Sequence, residues 1–172
     1  MARARLLPLA QKLGADVPFF VGGRNAFVEG TGERLTPIDV PHQWLALLKP
    51  AAGLATADVF MHPALVRDTP SAILAGFLAE ATQPGFWRTS WGRNDLQPPA
   101  EDRCPEVAQA AEWLQSRFGN SRMSGSGSAV FARSGMDDQP LVTWPPEDLL
   151  PAGWVGRMCR SLAQHPLVDW AG

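Results

Sequence analysis

The chain has 172 residues, 45% of them hydrophobic, which allows one ordinary core, or one domain with a fragment of another, and excludes a disordered tail. Fifteen Lys and Arg against 17 Asp and Glu give a formal net charge of -2, so no overall positive field favours nucleic acid or anionic lipid. Cys104 and Cys159 lie outside any paired zinc spacing, and no apolar stretch approaches the ~20 residues that span a bilayer. A soluble cytoplasmic protein with free thiols and no metal centre is expected.

In chain order, Leu6, Leu7, Leu9, Ala10 and Leu13 recur at helical intervals over Ala2 to Leu13, with Pro8 expected near a first turn and Gly14 as the stop. Val17 to Val21 is apolar and β-rich and reads as a strand before the Gly22-Gly23 turn. Asn25 to Glu29, the turn Gly30-Thr31-Gly32 and Glu33-Arg34-Leu35 have the grammar of a hairpin.

Trp44 to Leu48 predicts a buried strand, followed by a helix starting near Thr56, whose hydroxyl can cap free N–H groups. A second helix start falls at Thr69-Pro70, with Ile73, Leu74, Phe77 and Leu78 on one face. Pro84 to Arg103 shows no periodicity and reads as a long loop. Pro105 opens the clearest amphipathic helix, carrying Val107, Ala110, Ala111, Leu114 and Phe118 up to Gly119-Asn120.

Arg122-Met123 and Ala129 to Ala132 read as strands around Ser124-Gly125-Ser126-Gly127-Ser128. Trp144-Pro145-Pro146 rules out a long helix in the stretch to Pro151, and Trp154 to Met158 completes the set with a last strand. Strands and helices in this loose order, without a repeat, predict an α+β fold.

Three local patterns carry possible chemistry. Asp16 sits between a helix stop and an apolar segment, where burial presses on a carboxylate unless it is used or paired; it is either a turn residue or a group that orients a hydroxyl for attack on phosphorus. The Gly/Ser segment 124–128 is either a tight connection or a backbone cradle for an anion, and it is not a Walker A loop, since no Gly-Lys-Ser/Thr follows. Thr56 and Phe60 share one helical face, where Phe60 is either core or a platform for a base. Asn94-Asp95 reads as a solvated turn or a substrate contact, and His42, His62 and His165 have no metal-binding companions in sequence.

Leu-Gly-Ala-Asp-Val-Pro-Phe-Phe at 13–20, Glu-Gly-Thr-Gly-Glu-Arg-Leu-Thr-Pro at 29–37, Thr56 with Phe60, Asn94-Asp95-Leu96, Pro105-Glu106-Val107 and Met123 to Ser128 together resemble the diphosphocytidyl-methylerythritol kinases of the GHMP small-molecule kinase superfamily. The resemblance runs along nearly the whole chain. It implies a GHMP-kinase C-terminal domain, a ferredoxin-like βα sandwich over residues 28–172, with residues 1–27 a remnant of the N-terminal ATP-binding domain.

It further implies ATP-dependent phosphorylation of a small-molecule substrate, 4-diphosphocytidyl-2-C-methyl-D-erythritol, at its 2-hydroxyl. Asp16 would be the catalytic carboxylate; Thr56 and Phe60 would hold the cytosine end, with Ser124, Gly125, Ser126, Gly127 and Ser128 beside the reacting groups. ATP and Mg²⁺ are the implied cofactors. Nothing here matches the family's early lysine-bearing strand or its phosphate loop, which precede the aspartate motif, so little turnover is expected of the isolated chain. A separate N-terminal half or a homo-oligomer is the expected protein partner, and a truncated, catalytically silent substrate-binding or oligomerising module is the alternative reading.

Overall fold

A computed structural model describes residues 2–81, 83, 85–86, 92–136, 138–145 and 149–170. These fall into two compact units, one of residues 1–42 with 161–172 and one of residues 43–160.

The larger unit is built on α3 (Thr56–Phe60), α4 (Leu74–Ala81), α5 (Gln97–Arg103), α6 (Pro105–Phe118), and the strands β3 (Trp44–Lys49), β4 (Arg122–Met123), β5 (Val130–Arg133) and β6 (Val155–Arg160). The strands form a four-stranded antiparallel sheet in the order β4-β5-β3-β6. That order, with helices between β3 and β4, is the ferredoxin-like arrangement expected of a GHMP-kinase C-terminal domain. The apolar run Trp44 to Leu48 takes a central place, paired on both edges, with Ala46 facing Ala132 on one side and Met158 on the other.

Strand alternation then divides the sheet's faces. Ala46, Leu48, Val130 and Ala132 are fully buried and pack with Val107, Ala110, Ala111 and Leu114, the apolar stripe that the 3.6-residue repeat predicts for α6. Pro105 starts that helix and Gly119, at φ 72, ends it in the left-handed conformation that glycine adopts without penalty. On the opposite face the register aligns Arg122, Phe131, Leu47 and Arg157 across all four strands. Burial lowers the pKa of Arg122 and of Arg133, and Arg122 adds repulsion at Arg133.

The second helix of a regular ferredoxin-like unit is missing among the described residues between β5 and β6. Proline at 140, 145 and 151 opposes one, and the Trp144 ring instead lies on the helix side of the sheet against Gly156, where an added Cβ would come within 1.8 Å of the ring. Trp144 also stacks on Phe118 at 6.4 Å and meets Trp113 at 5.6 Å. The irregular stretch predicted after Ser134 is thus held by an aromatic cluster; its residues 137 and 146–148 lie outside the described residues.

Three expectations for this unit are corrected. Gln97–Arg103 is a helix rather than loop, because Pro98 and Pro99 occupy its opening positions, where no intrahelical N–H is required; positions 84 and 87–91 of that expected loop lie outside the described residues. The helix expected from Thr69-Pro70 begins only at Leu74, and of its expected face only Phe77 is buried, edge-on to Phe86 at 5.8 Å. Thr56 does not cap α3: Ala55 is the cap residue, without a side-chain bond, and the Thr56 hydroxyl is engaged elsewhere.

The smaller unit contains α1 (Arg3–Leu13), α2 (Val17–Gly22), an antiparallel hairpin of β1 (Ala26–Glu29) and β2 (Arg34–Pro37), and a 3₁₀ turn at Val168–Trp170. Pro8 stands at the sixth position of α1 rather than in its first turn, so the helix forgoes one internal hydrogen bond. Val17 to Val21 is helical, correcting the predicted strand; Pro18 presets the first turn, and six residues ending in one glycine, with a second as the cap, are too few for periodicity to arbitrate. Arg3 ties the unit together, donating from Nε to the Val21 carbonyl at 2.9 Å and from Nη2 to the Val168 carbonyl. Leu13, Phe20, Leu162, Leu167 and Trp170 remain exposed. Among the described residues no helix is long and apolar enough to cross a membrane.

Candidate functional site

The sequence-derived site residues divide between the two units. Asp16 belongs to the smaller, and Thr56, Phe60 and Ser124 to Ser128 belong to the larger.

Asp16 occupies the elbow between α1 and α2 as the cap position of α2, with φ -85 and ψ -18. It is exposed, which corrects the expectation of burial from both sides: the flanking segments are two helices, and the chain turns outward between them. A cavity of about 170 Å³ adjoins the elbow, lined by Gln11, Gly14, Ala15, Pro18, Thr31 and Glu33. Facing it is the four-residue turn of the hairpin. There the Glu33 carboxylate folds back to accept hydrogen bonds from the Thr31 backbone N–H at 2.6 Å and the Thr31 hydroxyl at 2.9 Å.

The Glu33 pKa is lowered by its own backbone N–H first, then by the Thr31 hydroxyl and the Thr31 N–H, with a smaller contribution from Arg34. A carboxylate with a depressed folded pKa contributes stability above its unfolded value, and that contribution is lost as pH falls through the folded one. The turn therefore loosens on acidification below the ordinary carboxylate range, seen as faster amide exchange at Thr31, and Glu33→Gln removes this pH dependence.

In the larger unit, the segment between β4 and β5 is held from three sides. Asn94 Nδ2 donates to the carbonyls of Met123 at 3.0 Å and Gly125 at 2.8 Å, while its Oδ1 accepts the Leu96 N–H at 3.0 Å. Gln97 Oε1 accepts the Met123 N–H at 2.9 Å, and Gln97 Nε2 donates to Glu101 at 2.7 Å. Ser128 donates to the Ala52 carbonyl at 2.9 Å, and the Ala52 N–H donates to Glu106 at 3.2 Å. Gly127, at φ 91, leaves no room for a side chain, since a Cβ would stand 2.9 Å from Met123 Sδ.

Thr56 and the Gly/Ser segment are brought together: Thr56 Oγ1 and Ser126 Oγ lie 2.8 Å apart. Phe60 is 51% exposed at the end of the same short helix, so its ring is available as a platform rather than spent in the core. That end is fixed by buried His62, whose Nε2 donates to Asp102 at 2.9 Å while Nδ1 accepts the Ala64 N–H at 3.2 Å, the pattern of a neutral ring. The loop, Thr56 and Phe60 thus form one surface with hydroxyls, glycine backbone and an aromatic face.

Sequence reading missed Asn94 and Gln97 as the residues that shape this surface. Their signal was present as an amide followed by a proline-led helix start, Asn94-Asp95-Leu96-Gln97-Pro98-Pro99, but only the fold shows that both reach the Gly/Ser segment. Among the described residues, no three His, Cys, Asp or Glu side chains converge in a way that would hold a metal ion.

The family model described as GHMP kinases C terminal matches residues 78–140. A 4-diphosphocytidyl-2-C-methyl-D-erythritol kinase of Methylibium petroleiphilum is 54% identical over 99% of this chain and 57% of its own length. One of Polaromonas naphthalenivorans is 47% identical over 96% of this chain and 52% of its own. The crystal structure titled as 4-(cytidine 5'-diphospho)-2C-methyl-D-erythritol kinase superposes with a TM-score of 0.59 at 33% identity, covering 75% of this chain and 47% of that one. The chain spans about half the length of the curated relatives it matches. The chain carries a GHMP-kinase C-terminal domain and, along nearly its whole length, is similar to about half of these 4-diphosphocytidyl-2-C-methyl-D-erythritol kinases.

Proposed function

We propose that this chain carries the substrate-handling part of a kinase that phosphorylates the 2-hydroxyl of 4-diphosphocytidyl-2-C-methyl-D-erythritol, a step in isoprenoid precursor synthesis. The observation behind it is the match to a relative of that name across 99% of the chain at 54% identity. In this reading, residues 1–27 descend from the ATP-binding domain and 28–172 from the C-terminal domain.

In the proposed step, the Asp16 carboxylate accepts a hydrogen bond from the substrate hydroxyl and takes its proton as the oxygen attacks the γ-phosphorus of ATP. A new O–P bond forms, the bond from γ-phosphorus to the β-bridging oxygen breaks, and ADP leaves. The exposure of Asp16 suits this role because its carboxylate is free of side-chain capping bonds to α2. Phe60 offers a ring face for the cytosine, and Thr56 and Ser126 offer hydroxyls for its polar edge. Mg²⁺ would enter with the nucleotide phosphates, since the described residues form no metal-binding cluster.

The test is an ATP-dependent phosphorylation assay on the purified chain, alone and with a second polypeptide comprising the part of a relative that this chain does not cover. Activity that requires the second polypeptide and disappears in Asp16→Asn is the expected result. Turnover unaffected by Asp16→Asn would overturn the role of Asp16. Absence of activity in every arm, with substrate still perturbing the Phe60 region, would favour a silent binding module instead.

A further inference from the structure

The hairpin turn at residues 30–33 touches the carboxylate elbow through the backbone of one residue. Gly32 is buried at φ 103, and a Cβ built on it would lie 2.0 Å from the Ala15 carbonyl oxygen and 2.9 Å from its carbon. Real side chains do not approach backbone that closely, so the peptide immediately before Asp16 rests directly on the glycine's Cα. The other end of α2 rests on the same hairpin: a Cβ at Gly22 would come within 3.3 Å of the Leu35 side chain in β2. A helix of six residues has little rigidity of its own, and here the hairpin supports it at both ends.

The turn is itself locked. Gly32 N–H donates to the Glu29 carbonyl at 3.3 Å, and the Glu33 carboxylate is clasped by both donors of Thr31. Gly30 allows that clasp, because a Cβ there would stand 2.1 Å from Glu33 Oε1. A conformation set by two left-handed glycines and one charge-assisted clasp is discrete, and so is the height at which Ala15 sits on it.

We infer that Gly32 is a positioning residue for Asp16, and that the clasped turn around it sets where the carboxylate stands relative to the substrate hydroxyl. This rests on the role proposed for Asp16 above. In-line phosphoryl transfer depends on placement of the attacking oxygen, so a change of even one methyl group under Ala15 acts on the reaction without touching substrate. Gly32→Ala adds that methyl where no space exists and also strains the left-handed backbone.

The experiment uses the full 172-residue chain, labelled with ¹³C and ¹⁵N. In Gly32→Ala, the Ala15, Asp16 and Val17 amides and the Asp16 carboxyl carbon are expected to shift, while the amides of β3 and α6 stay in place. In the complemented assay the same variant is expected to lower kcat with KM unchanged, since Asp16 meets the reacting hydroxyl rather than the cytosine. If Gly32→Ala does not fold, Glu33→Gln, which loosens the turn without adding atoms, is read for the same shifts. Asp16 resonances that stay put in the folded variant would overturn the inference even if Asp16 proves catalytic. Asp16→Asn with full turnover would sink the catalytic reading while leaving the positional shift intact.

Discussion

Leu114→Ala is expected to destabilise the larger unit by about 2–5 kcal/mol, the range for truncating a leucine in a core that cannot collapse around the gap. Leu114 is fully buried in the third turn of α6 and packs in one cluster with Ala46, Leu48, Val130 and Ala132 of the sheet. Those partners are small or held by strand register, so few atoms can move into the space. Urea unfolding followed by amide exchange in α6 and β5 measures the loss. The matched control is Leu13→Ala, a leucine 79% exposed, for which a change within about 0.5 kcal/mol is expected. Equal effects at the two positions would mean that α6 does not carry the core.

Asn94→Ala is expected to cost about 1–3 kcal/mol and to release the Gly/Ser segment, because three backbone groups lose their partner at once. The diagnostic comparison is Asn94→Asp. The carboxylate retains the acceptor for the Leu96 N–H but turns an oxygen toward the carbonyls of Met123 and Gly125, where the amide had placed a donor. At neutral pH Asn94→Asp is therefore expected to be more disruptive than Asn94→Ala, despite the closer shape, and to improve on acidification as the carboxyl gains a proton to donate. Thermal unfolding at two pH values and amide exchange at residues 124–128 distinguish the variants. Asn94→Asp as stable as the parent at neutral pH would show that the amide donor is not what holds the segment.

Both predictions concern residues whose weight differs in visibility along the chain. The α6 stripe was legible because a 14-residue helix repeats its apolar spacing often enough to identify its buried face, and Pro105 and Gly119 mark its ends. The hairpin was equally legible, since two alternating runs joined by Gly-Thr-Gly leave few other conformations. The strand at Trp44 to Lys49 was recognisable from its composition, but its central place was a matter of tertiary pairing.

Short segments were not legible in this way. Val17 to Val21 has strand-like composition, yet Pro18 and the packing of α2 on the hairpin select a helix, an outcome that five residues of hydrophobicity cannot encode. Gln97–Arg103 lacks periodicity and is helical because two prolines start it and α6 covers it.

For the site, sequence alone determined the residue types: an aspartate at an elbow, a Gly/Ser turn, and a threonine and a phenylalanine one helical turn apart. Tertiary structure decided what each can do. It exposed Asp16, joined Thr56 to Ser126, turned Asn94 and Gln97 into clamps and set Gly32 beneath Ala15. Local sequence specifies torsions and turns within a few residues, whereas those contacts join residues 17 to 70 positions apart and come into being only when burial of the core brings their elements together.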